Sequence, residues 1–386
     1  MGVAQDHGLG RNGRFYARRE TTFASFLKPI SGDAIKILKS TMDFKQARKP
    51  RNDVRQTRSL LERITGMKEV AWSVDSYLIP SGDAGVPPDV HELLRAAFGI
   101  YVNTPSVNDV YTLSDAQSAL GSLSLVRTSD VHMQALIGAV VEEMKLGLAG
   151  GDEPKLSFSG FAVDELGTGT SVLTAAVVAS ATILIQASDV ANFTNGSVLQ
   201  VGVNTNGGAG YRVVSGGGTS TLVLETTLTA ALGDVVAPFA PTETTSGSPI
   251  AGILGSLVFA EDSGAQVPIT ALEVTLKNGT KPVNNEAFQD RVTDYILGYR
   301  EVTGSVTIRL RRDQVRQHFK RKSFVTRNLV AICGTVVGRR LQIDMPTIEV
   351  DFSPIEIPEA EEATFTLPFT ALSSGVLANE LKFTFF

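Results

Sequence analysis

Period-two alternation of apolar and polar residues is the feature that most constrains this 386-residue chain. In Glu69–Ile79, Val70, Trp72 and Val74 alternate with Ala71, Ser73 and Asp75. In Thr270–Lys277, Leu272, Val274 and Leu276 alternate with Glu273, Thr275 and Lys277. In Gly304–Arg311, Val306, Ile308 and Leu310 alternate with Ser305, Thr307 and Arg309. Successive side chains of a strand point to opposite faces, so these segments specify strands with one buried and one wet face. Lys155–Val163 repeats the pattern through Leu156 and Phe158. With Lys145–Leu148 it reads as a hairpin around Gly150-Gly151-Asp152-Glu153-Pro154. Further strands are expected at Ala34–Leu38, Thr347–Phe352, Ala363–Phe369 and Leu381–Phe386. The last is apolar enough to pair inside a sheet.

The expected fold class is therefore mainly β, a sandwich or barrel with one short flanking α-helix. Pro87-Pro88-Asp89 opens that helix with Asp89 as N-cap. Leu93, Leu94, Ala97 and Phe98 fall at helical spacing, and Gly99 ends it. Val131–Met144 fits helix or strand. Composition agrees with a β-rich protein, since 36 glycines accompany abundant Ser, Thr and Val, and 43% hydrophobic residues suffice for a sizeable core.

Composition also marks a domain. From residue 166 to 250, Arg212 is the only Lys or Arg. Strand-like runs at Thr182–Gln186, Ser197–Val203, Tyr211–Val214 and Thr221–Glu225 are separated by turn signals such as Asn195-Gly196 and Asn206-Gly207. Residues 167–249 are expected to form a small β-barrel or sandwich, with Thr242–Pro249 as exit linker. Residues 1–166 and 250–386 then form one discontinuous domain, with an N-terminal arm over 1–33.

Net charge is −5 but segregated. Residues 1–65 hold fourteen basic and six acidic residues, whereas 341–386 hold eight acidic residues and one Lys. Such segregation suits surfaces that dock on copies of the same chain; folding that intermixes the charges is the alternative. The run from Arg48 to Arg63 has few apolar anchors and reads as a loop that orders on contact. Arg48, Lys49, Arg51, Arg55, Arg58 and Arg63 are its candidate interface residues. This run and Arg309–Lys322 could touch nucleic acid, but few aromatics interleave with the first.

No residue is nominated as catalytic, metal-binding or cofactor-binding. His7, His91, His132 and His318 lack partners at metal-ligand spacing. Gly8-Leu-Gly10-Arg-Asn-Gly13 matches a dinucleotide fingerprint but lacks the preceding strand that fingerprint needs. The acceptor-like Asn192-Phe-Thr, Asn195-Gly-Ser and Asn278-Gly-Thr read as turns. Cys333, the single cysteine, reads as a buried small hydrophobe, and a chain without disulfides suits a reducing cytoplasm. Neither a secretory signal nor a membrane-length apolar run is read.

Arg14-Phe-Tyr-Ala-Arg-Arg-Glu-Thr-Thr, Arg55-Gln-Thr-Arg-Ser and Glu62-Arg-Ile-Thr-Gly-Met-Lys-Glu-Val-Ala-Trp-Ser-Val-Asp-Ser-Tyr resemble the start of tailed-phage tail tube proteins. So do Ile269-Thr-Ala-Leu-Glu-Val-Thr-Leu-Lys-Asn and Gly298-Tyr-Arg-Glu-Val-Thr-Gly-Ser-Val-Thr-Ile. The resemblance lies in scattered patches outside 167–249. It implies a tail-tube-type sandwich flanked by a helix, hexameric rings, and a stacked tube that conducts DNA without reading its sequence. It also implies no enzyme activity, no cofactor, other tail proteins at the tube ends, and residence in the virion tail after synthesis in the host cytoplasm. A lumen should not grip the polyanion passing through it. Asp75, Glu142, Glu143, Glu273, Glu349 and Asp351 are accordingly expected to face it. A tailocin or secretion-system tube, an enzyme, and a β-sandwich carbohydrate-binding module are the rival readings.

Overall fold

The computed structural model describes residues 13–51, 63–129, 131–202, 209–244, 247–250, 255–259, 266–284, 288–309, 327–351, 363–375 and 378–386. The fold is mainly β, with two short α-helices among these residues. The chain begins with strands β1 (Arg14–Arg19), β2 (Ala34–Ile35), β3 (Lys39–Pro50) and β4 (Arg63–Tyr77). Helix α1 (His91–Phe98), β5 (Gly99–Thr104), β6 (Asn108–Leu113), the single-turn α2 (Gln117–Leu120) and β7 (Leu123–Thr128) follow. Next come β8 (Met133–Ala149), β9 (Lys155–Ala162) and β10 (Asp164–Thr168). A second unit holds β11 (Ser171–Val172), β12 (Val177–Leu184), β13 (Val198–Val201), β14 (Tyr211–Ser215), β15 (Thr221–Ala230) and β16 (Val235–Pro238). The chain returns through β17 (Gly255–Phe259), β18 (Ile269–Lys277), β19 (Thr280–Val283), β20 (Asp294–Leu297) and β21 (Glu301–Arg309). It ends with β22 (Arg327–Cys333), β23 (Leu341–Val350), β24 (Thr364–Ala371) and β25 (Lys382–Phe385).

Antiparallel pairing runs without a break through β3, β4, β9, β8, β18, β21, β24 and β23. From β23 it branches through β25 and β6 to β5, and through β22 to β17. β17 comes back to the start of β18, where the Val267 amide donates to the Leu257 carbonyl at 2.9 Å. β18, β21, β24, β23, β22 and β17 thus curl into a nearly closed barrel. Trp72, Phe158, Leu272, Ile308, Ile343, Phe365 and Phe383 belong to one apolar core, which α1 joins through Leu93, Leu94, Ala97 and Phe98.

Gly138 is the pivot of β8. Before it, Met133–Ile137 lies between β7 and β10; after it, Val140–Gly147 pairs with β9 and Glu143–Ala149 with β18. Its φ of 63° is in the left-handed region, and a Cβ there would come within 2.6 Å of Val163 Cγ2. Val131–Met144 is thus mostly strand. β9 and β18, which stand before and after the second unit in sequence, are the two strand neighbours of this second half of β8.

The second unit is a closed barrel of its own. Its six strands run β11, β16, β13, β14, β15, β12, and a bridge between Leu173 and Ile185 joins the last to the first. Phe193, Leu199, Val213, Leu222 and Val236 fill its interior. It lies within the compositionally distinct stretch 167–249. Val198 leaves that interior and packs with Tyr16, Phe26, Val126, Met133 and Ala135 of the body.

Several expectations are corrected. Residues 14–19 are not part of an arm: β1 pairs with β7, and Phe15, Tyr16 and Ala17 are buried. The expected strand at Ala34–Leu38 shortens to Ala34–Ile35. Asp89 is not the N-cap of α1; Val90 holds that position without a side-chain cap. Arg48, Lys49 and Arg63 lie in paired strands rather than a contact-ordered loop, because cross-strand pairing already satisfies their backbone.

Candidate assembly surface

Register places one polar face across the eight-stranded path. One row reads Lys39, Asp75, Ser157, Lys145, Thr275, Thr303, Thr370, Glu349. The next reads Thr41, Ser73, Ser159, Glu143, Lys277, Glu301, and another Tyr77, Lys155, Gly147, Glu273, Ser305, Pro368. Asp351 borders the last row, its amide donating to the Pro368 carbonyl at 2.8 Å. Asp75, Glu143, Glu273, Glu349 and Asp351 therefore share this side of the sheet. Glu142 is exposed for a different reason: the register of β8 against β9 shifts between Val141 and Glu143, so two successive residues face solvent. Gly160 sits opposite this bulge, where a Cβ would meet the Val140 carbonyl oxygen at 1.9 Å.

The face is not purely acidic. Lys39, Lys145, Lys155 and Lys277 interleave with the carboxylates, and two pairs are in ionic contact: Lys145 with Glu273 at 3.4 Å and Lys277 with Glu143 at 3.9 Å. Hydroxyls fill the space between, with Thr41 bonded to Ser73 at 2.6 Å and Thr307 to Thr366 at 3.1 Å. The lysines were legible from the same parity that singled out the acids; choosing by charge sign passed over them.

β3 and β4 continue as a hairpin beyond the end of β9. The β9 register stops at Val70 with Ala162, while β3 and β4 pair onward through Arg48 with Thr65, Lys49 with Ile64 and Pro50 with Arg63. Lys68 anchors the base, its ammonium 3.2 Å from Asp290 and its amide donating to the Asp290 carbonyl at 2.8 Å. Past that anchor the hairpin exposes Arg48, Lys49, Arg63 and the apolar Ile64, and Arg51 stands exposed at its end. Arg55 and Arg58 lie outside the described residues, as do His7, His318 and the run 310–322. Among the described residues β3 pairs only with β4, and β5 only with β6, so each has one edge without a strand partner, while the Arg127 and Gln134 side chains donate to the Ser40 and Met42 carbonyls of β3. The edge strand β5 carries the exposed apolar side chains Ile100 and Val102.

The ionisable groups of the interior serve packing. The Tyr111 hydroxyl lies 2.7 Å from His91 Nδ1, and the Tyr101 hydroxyl donates to Asp109 at 2.6 Å. Burial, with Arg95 nearby, pushes the His91 pKa down to about 4. Cys333 is buried in β22, and desolvation raises its thiol pKa to about 12, far from a reactive thiolate. Among the described residues no group of three His, Cys, Asp or Glu side chains is placed to hold a metal ion. No helix of the described residues is long and apolar enough to cross a membrane.

No family model and no curated protein matches the sequence.

Proposed function

We propose that this chain is the structural subunit of a tube of the tailed-phage tail type. In this reading, copies close into rings, six by the family resemblance, and the rings stack into a conduit for DNA. The observation that carries the reading is the union of a broad polar sheet face with unpaired strand edges and a projecting basic hairpin. An open edge strand is a template for pairing with another chain. Head-to-tail pairing of one patch with a different patch on the next copy closes a ring when the rotation allows.

The polar face then lines the bore. Its lysines are offset by neighbouring carboxylates, so the wall offers hydroxyls and near-neutral charge instead of a basic track that would hold phosphates. The hairpin is the stacking element: Arg48, Lys49 and Arg63 stand past the body, where they can meet acidic groups of a neighbouring ring. The partners are further copies of the chain, other tail proteins at the tube ends, and DNA in transit; the location is the virion tail.

Negative-stain microscopy of the purified protein tests this directly. Rings or tubes of uniform diameter are expected. The triple variant Arg48→Glu, Lys49→Glu, Arg63→Glu should stay folded but fail to stack, because only exposed charges change. A wild-type protein that remains monomeric at every salt and concentration, or a triple variant that forms normal tubes, would remove the basis of the proposal.

A further inference from the structure

We infer, on the tube reading proposed above, that the cavity beside the β8–β9 turn is a socket for the β3–β4 hairpin of a second copy, with Ile64 as the side chain it receives. The cavity, of about 500 Å³, is lined by Gly150, Gly151 and Pro154 of that turn together with Leu257, Val267 and Cys333. It lies where β17 parts from β18. One edge of β17 pairs with β22, and its other edge meets the segment before β18 at Leu257 with Val267 and Val258 with Gln266. Beyond Leu257 the two strands separate, because β18 pairs with β8 instead, Ala271 opposite Ala149. The gap left between them is floored by apolar side chains.

Carboxylates stand beside the opening. Asp152 and Glu153 are exposed on the β8–β9 turn. Asp83 is exposed on the loop after β4, which joins that turn through the Leu78 amide donating to the Pro154 carbonyl at 2.8 Å. None of the three has an ion-pair partner among the described residues. Two cations are exposed at the same end. Lys155 belongs to the polar face, in the row with Gly147 and Glu273, and Arg339 stands on the β22–β23 turn.

The hairpin carries the converse pattern. Ile64 is 58% exposed, Lys49 lies opposite it in the β3–β4 register, and Arg48 and Arg63 are one residue away. An apolar side chain among cations thus matches an apolar cavity beside carboxylates. The match is not made within one copy. Ile64 is at the start of β4, whereas the cavity lies past its end, where Tyr77 pairs with Lys155. The strand between them spans about 40 Å at the usual rise per residue. Each copy therefore presents a knob at one end and a socket at the other, the heterologous geometry that an open stack requires. Burial of Ile64 favours the contact, and the opposed charges orient the approach.

Charge-swapped full-length chains, viewed by negative-stain microscopy, test the socket. Asp152→Lys with Glu153→Lys changes two exposed turn residues and should leave rings that do not stack. Adding Arg48→Glu, Lys49→Glu and Arg63→Glu to that chain should restore tubes, since every copy then carries an acidic knob and a basic socket. A hairpin that held nucleic acid instead would not be rescued in this way. Ile64→Ser should raise the concentration at which tubes form about tenfold, while Ile64→Leu should leave it near that of wild type. The double variant Ile64→Cys, Glu153→Cys, treated with a short bismaleimide, should give a ladder of covalent oligomers when assembled, and each single variant should give none. Four results would each overturn the socket while leaving the tube standing: normal tubes from Asp152→Lys, Glu153→Lys; no tubes from a folded combined swap; an unchanged threshold in Ile64→Ser; or no ladder from assembled double variant. A wild-type chain that never forms rings or tubes would overturn both.

Discussion

Glu20 is a buried carboxylate that three donors hold in place. Ser122 Oγ donates to Oε2 at 2.6 Å, while Ser124 Oγ and the Gly138 amide donate to Oε1 at 2.9 and 3.0 Å. The carboxylate thereby ties the end of β1 to β7 and to the pivot of β8. Glu20→Ala strands those donors, so a loss of about 2–4 kcal/mol is expected in denaturant unfolding, with Glu20→Gln losing less. His91 makes a pH-dependent prediction. Its pKa falls from 6.5 to about 4 on folding, so the unfolded chain takes up a proton first as pH drops. The stability associated with neutral His91 is complete above pH 6.5 and is lost as pH falls through about 4. His91→Gln lacks this loss, so the melting-temperature advantage of wild type should shrink steadily from pH 7 to pH 4.5. An advantage that grows in acid would contradict the assigned burial of the ring.

At the scale of elements, what the sequence reveals depends on how many faces a strand buries. β4, β9, β18 and β21 have one wet face, and their alternation places them closely. β7 is buried at Leu123, Ser124, Leu125 and Val126 in succession, so it lacks a period and leaves no such signal. β5 and β6 were equally silent, because an edge hairpin with exposed Ile100 and Val102 breaks the rule of apolar inside. For the polar face, parity was legible and sign was not: the acids share a side, but cross-strand register brings lysines beside them. The extra exposure of Glu142 depends on a bulge, which no alternation specifies. This charge balance is testable. Glu143→Lys with Glu273→Lys would set lysines against Lys277 and Lys145, at a stability cost within about 1 kcal/mol for exposed pairs. Tubes of the same width should form and retain short labelled duplex DNA in a salt-sensitive way, as added cations on a DNA path require. Retention no greater than wild type would mean that this face does not line the bore.

At the scale of the whole molecule, the inserted barrel is complete in itself yet seated on the body. Among the described residues its own strands close on one another, leaving no open sheet edge for a neighbouring copy in the proposed tube. It docks through Val198 on the layer of β1, β7 and the first half of β8, whereas the polar face is built on the second half of β8 and beyond. Lys28 adds an ionic contact to Glu225 at 2.8 Å. A docking site away from the polar face puts the barrel outside the bore in the proposed tube. A long insertion costs little loop-closure entropy, about 0.6 kcal/mol per doubling of length, so the body can carry it without losing its framework. Replacing residues 169–240 with a short Gly/Ser linker should therefore leave a folded body. That body would be less stable, since Tyr16, Phe26 and Val126 lose the cover of Val198, and changing Val126 to Thr in the shortened chain would ease the exposure. Microscopy of the product should show tubes with a smaller outer diameter and an unchanged bore. A folded body that no longer forms rings would instead make the barrel part of the ring contact, and a narrowed or widened bore would place it on the inner wall.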